Sequence, residues 1–366
     1  MRRKRIAIAC QGGGSQCAFV AGVLKQLFAD DIHHAYHIVG LSGTSGGALT
    51  AAVAWYGLLK QAHGDRTPVE DRVMALWRDL TAQTVREILL DNATVRMIRL
   101  YESGLLPSYA VSPASPLFQL GARLFATVIG RPEFTDLRAL LRAHIDFDQL
   151  ALLCADGGPS LLLGAADVLD GTFKVFNSMH GEISVESLLA SAAIPTLFPA
   201  VWVDGHAYWD GIFSANPPVS AFIKRGMLAE LPEEVWIVQV NRQSQITVPE
   251  SPSDIVDRRN QLAGNLSLQH ELQLLEVANM LLRDQGLTDE FRSRYGLCNT
   301  EPIGVRSIRM SEELQKTLDY PSKLSRQPRH IAALIADGEK QAAAFVRQLG
   351  TASAASMHVM ANVGFH

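Results

Sequence analysis

The sequence is short of charge and of aromatic rings, and neither sign of charge is in clear excess. Lys and Arg number 33 against 37 Asp and Glu over 366 residues, a net charge of −4. That balance gives no global reason to expect a nucleic-acid partner, which demands a basic face. The one basic cluster, Arg2, Arg3, Lys4 and Arg5, reads as a solvated lead into a strand, with contact to anionic lipid as its alternative. Four cysteines, Cys10, Cys17, Cys154 and Cys298, form no CxxC pair and no metal-ligand spacing. That argues against a disulfide framework and suits a reducing, cytoplasmic setting. The opening "IAIAC" is too short for the apolar region of a signal peptide. The uncharged stretch "IVGLSGTSGGALTAAVAWYGLL" is apolar throughout only from Ala48 to Leu59, well short of the roughly 20 residues that cross a membrane.

What is present describes an ordinary globular protein: 48% hydrophobic, 19% charged and 7% aromatic residues are enough to bury a large core. Arg5 to Ala9 reads as a buried strand, "QGGGSQ" as a turn, and Cys17 to Phe28 as a helix with Phe19, Val20, Val23, Leu24 and Leu27 on its apolar side. A second strand around Tyr36 to Leu41 enters a second glycine corner and a second, buried helix. Strand, glycine loop and helix, twice over, open a parallel sheet with right-handed crossovers and helical cover. The expected fold is α/β, a three-layer α/β/α arrangement around a mainly parallel sheet.

Residues 63–130 read as a helical insertion. Within it Ser103 to Ala122 is uncharged and broken by Pro107, Pro113 and Pro116, which suits either a lid over an apolar site or a loop packed on the core. Hairpins are expected around Asp170-Gly171 and Asp204-Gly205. A buried strand follows from Glu234, then a helix from about Asp254 to Gln285 with Leu268, Leu272, Leu275 and Leu282 on one stripe. Residues 1–225 form the expected catalytic core, 226–350 complete the same domain, and 351–366 are a tail.

"GTSGG", Gly43 to Gly47, fits G-x-S-x-G between an apolar strand and an apolar helix, the context that gives this short motif meaning. Ser45 is the candidate nucleophile, since Gly43 and Gly47 let chain segments approach a sharp turn and the helix N-terminus favours developing negative charge. Gly12, Gly13 and Gly14 follow the neighbouring strand, and their amides are placed to line an anion beside Ser45. A dinucleotide loop would need glycine where Cys17 stands, and a Walker loop would need a Gly-Lys-Ser/Thr that is absent. A tight turn without a ligand stays open. No histidine nominates itself as a base: His33, His34 and His37 cluster before the second strand, and His206 lies in a hairpin. Asp210, at the end of "HAYWDG", is either a functional carboxylate or a turn-former.

Taken together, "QGGGSQCAFVAGVL", "GTSGGAL" and "SAAIPTLFPAVWVDGHAYWDGIFSANPPV", in this order, resemble the patatin-like phospholipases over roughly residues 6–225. The resemblance implies a Ser-Asp dyad without histidine, with Ser45 as nucleophile and Asp210 as its partner. It further implies an oxyanion hole from Gly12, Gly13 and Gly14 with Gly46 as a further donor, and neither metal nor cofactor. The implied substrate is a lipid or other fatty acyl ester, reached in the cytoplasm or at a peripheral membrane surface. Thioesterase or transacylase chemistry on the same dyad, a catalytically silent binding scaffold, and a nucleotide-binding module are the rivals. The sequence departs from the family where Gln16 replaces a cation, Cys17 replaces glycine, and Ile212 follows Asp210-Gly211. Cys17 is expected to be a small buried thiol.

Overall fold

The computed structural model describes residues 2–102, 131–195, 197–224, 226–245, 247–283, 288–294, 301–319 and 321–361. The proline-broken segment Ser103 to Ala122 and Cys298 lie outside them. Among the described residues eight strands form one sheet: β1 (Lys4–Cys10), β2 (Tyr36–Gly43), β3 (Ser160–Asp167), β4 (Phe173–Asn177), β5 (Val201–Val203), β6 (His206–Asp210), β7 (Glu234–Gln239) and β8 (Gly304–Arg309). Their order is β5-β6-β3-β2-β1-β7-β8, with β4 also on β3. The run from β3 to β8 is parallel, and the β3–β4, β3–β6 and β5–β6 pairs are antiparallel. The sheet is therefore mainly parallel, and both expected hairpins form. Asp204 and Gly205 take φ of 49° and 83°, the left-handed pair that a two-residue hairpin loop requires.

Strand β1 shows why both faces need cover. Ile6, Ile8 and Cys10 belong to one apolar cluster and Ala7 and Ala9 to the other, as the two-residue period of a strand dictates. The first cluster is closed by α1 (Ala18–Ala29) and the helices Gly46–Ala62 and Pro328–Ala361. The second is closed by Phe222 and by Leu268 and Leu275 of the helix Pro252–Arg283. This is the three-layer α/β/α fold. The stretch from Ile38 to Leu59 divides into β2, a corner at Thr44 and Ser45, and the buried helix Gly46–Ala62. Among the described residues no helix is long and apolar enough to cross a membrane.

Two features went beyond the sequence reading. β8 escaped it because Arg306 and Arg309 interrupt its apolar pattern at an exposed edge. The helix expected to give way to a tail at 351 continues its backbone to Ala361. That helix crosses α1 at two glycines: a Cβ on Gly22 would lie 2.1 Å from the Ile335 carbonyl oxygen, and one on Gly338 would lie 2.3 Å from that of Phe19. The backbones are in direct contact, so no side chain fits between them. Gly338→Ala is expected to destabilise the protein by about 1–3 kcal/mol through overpacking. Gly350→Ala in the same helix, where a Cβ meets nothing within 4 Å, should be neutral or stabilising by up to about 1 kcal/mol. Urea unfolding of the two variants checks the opposite signs.

Candidate active site

The parallel pairing of β1 with β2 sets Cys10 opposite Gly43, so the two glycine loops leave the sheet side by side. Their contact is close. A Cβ on Gly12 would lie 2.5 Å from the Thr44 carbonyl oxygen and 2.8 Å from Ser45 Cβ, and a Cβ on Gly47 would lie 2.4 Å from the Cys10 carbonyl oxygen. Glycine is required at both positions for the loops to meet.

Ser45 has φ 56° and ψ −133° and immediately precedes the helix Gly46–Ala62. A non-glycine residue in this region stores on the order of 1–3 kcal/mol of strain and needs surrounding contacts to hold it. Its N–H donates to the Ser191 carbonyl oxygen at 2.9 Å, with Ser191 Oγ at 3.3 Å. Ser191 Oγ in turn donates to the Gly164 carbonyl oxygen at 2.7 Å, and Thr44 Oγ1 to that of Ala215 at 2.6 Å. The residue is 4% exposed, beneath the positive end of the helix dipole.

Asp210 ends β6 with no solvent exposure. Its Oδ1 accepts the Ile212 N–H at 3.0 Å, so it does cap the turn that follows. Its Oδ2 is buried without a hydrogen-bond partner. Burial raises the carboxyl pKa from an ordinary 3.8 to about 7, against smaller lowering effects of the Ser45 hydroxyl, the Ile212 amide and Lys323. The Ser45 hydroxyl thus stands near enough to favour the carboxylate, without the geometry of a formed hydrogen bond. Such apo geometry is common in sites that tighten around substrate.

The glycine amides do not all serve the same end. The Gly12 N–H already donates to Asn216 Oδ1 at 2.6 Å, which corrects the expectation that it is a free donor; the role of Gly12 is steric. Among the described residues nothing accepts the N–H groups of Gly13, Gly14 or Gly46. A Cβ on Gly46 would lie 2.5 Å from the Gly14 carbonyl oxygen, so these three amides belong to one locality beside Ser45. Among the described residues no histidine bonds to Ser45 or Asp210; His206 bonds to Asp167 and His144 to Asp79. Cys17 is buried with its Sγ 3.4 Å from the Gln11 carbonyl oxygen, and burial pushes its thiol far above the usual range. It is inert packing, as expected.

Asn216, Ser191, Gln11 and Lys323 were not singled out from the sequence. Asn216 and Ser191 lie inside quoted motifs, where a polar residue between small or proline neighbours was a usable signal. Gln11 Oε1 accepts the N–H groups of Val240 and Asn241 at 2.9 and 3.0 Å, binding the end of β1 to the end of β7. Lys323 lies far along the chain in no recognisable pattern.

Residues 8–223 match the family described as patatin-like phospholipase, and the chain belongs to that family. No curated protein matches it. Among solved structures it is similar to VipD from Legionella pneumophila, at 13% identity and a TM-score of 0.36, covering 95% of this chain and 67% of that one. It is also similar to a chain of the heterodimeric ExoU-SpcU complex from the type III secretion system of Pseudomonas aeruginosa, at 17% identity and a TM-score of 0.30, covering 80% of this chain and 57% of that one. The present chain therefore spans little more than half the length of the latter.

A buried carboxyl with a raised pKa predicts an unusual stability profile. Because the folded value of about 7 exceeds the unfolded value near 3.9, the native state holds the proton more tightly. Stability is therefore lost as pH rises through the window from about 4 to about 7. Asp210→Asn should remove this loss and raise stability at pH 8 by on the order of 4 kcal/mol relative to the wild type. Denaturant unfolding at pH 5 and pH 8 checks it, and equal pH dependence of the two proteins would contradict the assignment.

Proposed function

We propose that the chain is a serine lipid acyl hydrolase of the phospholipase A or non-specific esterase type, working through Ser45 and Asp210. The observation that carries this reading is the buried Oδ2 of Asp210, which has no donor, next to a serine held in a strained turn at a helix N-terminus. Ser45 Oγ attacks the ester carbonyl carbon as its proton passes to Asp210. The tetrahedral oxyanion is received by the amides of Gly13, Gly14 and Gly46. Collapse expels the alcohol, which takes the proton from Asp210, and leaves an acyl-serine. Water then attacks the acyl carbon and gives a proton to Asp210, and collapse releases the fatty acid as Ser45 Oγ leaves and takes that proton back.

Asp210 is suited to this task because burial removes the main weakness of a carboxylate as a base, its low affinity for protons. Family membership favours a lipid substrate, and Phe213, exposed three residues beyond Asp210, gives the surface near the site an apolar side chain. Residues 226–350 complete the same catalytic domain in this reading, since β7 and β8 extend the sheet that carries Ser45. We place the reaction in a reducing compartment at a peripheral lipid surface.

A p-nitrophenyl acyl-ester series with calcium chelated tests the reading. Ser45→Ala should abolish turnover and labelling by a fluorophosphonate, and Asp210→Asn should lower kcat/KM by about 10²- to 10⁴-fold. The wild-type kcat/KM should rise with pH through about 7, as Asp210 becomes the ionised base. Turnover that favours long chains supports the lipid substrate. A wild type that neither turns over nor labels at Ser45 would instead mark a binding scaffold that keeps the motifs without the chemistry.

A further inference from the structure

Lys323 is a buried lysine, 5% exposed, that makes no ion pair within 4 Å of a described carboxylate. Its Nζ donates to Asn241 Oδ1 at 3.0 Å. A buried ammonium with one neutral partner is costly unless charges around it repay the lost hydration. Its place is against the glycine loop: a Cβ on Gly14, whose φ is +58°, would lie 2.2 Å from the Lys323 carbonyl oxygen, and Asn241 Oδ1 would lie 3.9 Å from a Cβ on Gly13. The segment that carries it is tied to the same loop, for Gln16 Nε2 donates to Ser322 Oγ at 3.0 Å and to the Asp319 carbonyl oxygen at 3.3 Å.

The charged and titratable groups around Lys323 come from several elements. Asp257 faces it from the helix Pro252–Arg283, Cys17 from the turn Gly14–Cys17, and Asp210 from the end of β6. Asp319 and Arg242 face Asp257, and His330 Nε2 sits 3.1 Å from the Ser322 carbonyl oxygen. Asp257 Oδ1 and Asp210 Oδ2 are both buried without donors. The ammonium thus stands in the field of two carboxyl groups and bonds to neither.

We propose that Lys323 is a positioning residue of the active site, which sets a buried positive charge behind the Ser45–Asp210 pair while its backbone braces the Gly13–Gly14 loop. This rests on the Ser45–Asp210 reading above. Burial opposes the charged form of both groups, yet each favours the charged form of the other. Through weak screening in a buried site, that coupling reaches beyond hydrogen-bond distance.

The test uses the full chain with 13C-carboxyl aspartate, the Asp210 resonance being assigned by its loss in Asp210→Asn. Lys323→Met removes the charge, Lys323→Gln removes it while keeping a donor for Asn241, and Lys323→Arg keeps it. The Asp210 titration midpoint is expected to move to higher pH in the Met and Gln variants and to stay lower in the Arg variant. The acidic limb of kcat/KM should move with it, with kcat/KM below the midpoint falling about tenfold. An unmoved Asp210 midpoint in a folded neutral variant overturns the proposal, as does uniform loss of activity with neither midpoint displaced. If fluorophosphonate fails to label wild-type Ser45 while the Asp210 midpoint still moves, the hydrolase reading fails and the electrostatic link between Lys323 and Asp210 stands.

Discussion

The register of β1 against β2 is the constraint on which the site depends. With Cys10 opposite Gly43, two loops that are more than thirty residues apart in sequence must leave the sheet at the same level and share one small volume. Neither has room for a Cβ at its point of contact. Strand order reverses at β1, since β2 lies on one side of it and β7 on the other. Such a reversal opens a crevice at the carboxyl ends of parallel strands. Gln11 ties the two sides of the reversal together by accepting the Val240 and Asn241 amides on one side-chain oxygen.

Strain and burial act together there. The Ser45 backbone is held in an unfavourable region by Ser191 and by the helix that begins at Gly46. Asp210 is held in a dry place by β6 and by the turn it caps. Each costs stability alone, and each is tolerated because the surrounding sheet over-determines it. The large apolar clusters on both faces of β1 supply the surplus. A site of this kind belongs at the centre of a sheet and would be hard to maintain at an edge.

Much of this was legible in the sequence because it follows from local chemistry. Short apolar runs ahead of glycines placed β1 and β2, the glycines marked the corners, and Asp204-Gly205 announced a hairpin whose positive φ angles are found in place. Ser45 stood out because its motif lies between a strand and a helix. Other features rest on long-range contacts that no local pattern encodes. The capture of the Gly12 amide by Asn216 depends on a meeting of residues 204 positions apart. Lys323 is one lysine at the end of the short turn of helix Pro321–Lys323 until the fold sets its carbonyl against Gly14. β8 was hidden by arginines that are comfortable only because the strand is an edge.

The packing of Lys323 on Gly14 also has a temporal side. A chain leaves the ribosome from its amino end, so both glycine loops, Ser45 and Asp210 emerge well before residues 319–323. Until then the first loop has no brace beneath it and the carboxylate has no buried cation nearby. Synthesis of the stretch from Asp210 to Asp319 therefore separates the appearance of the reactive groups from the completion of their surroundings.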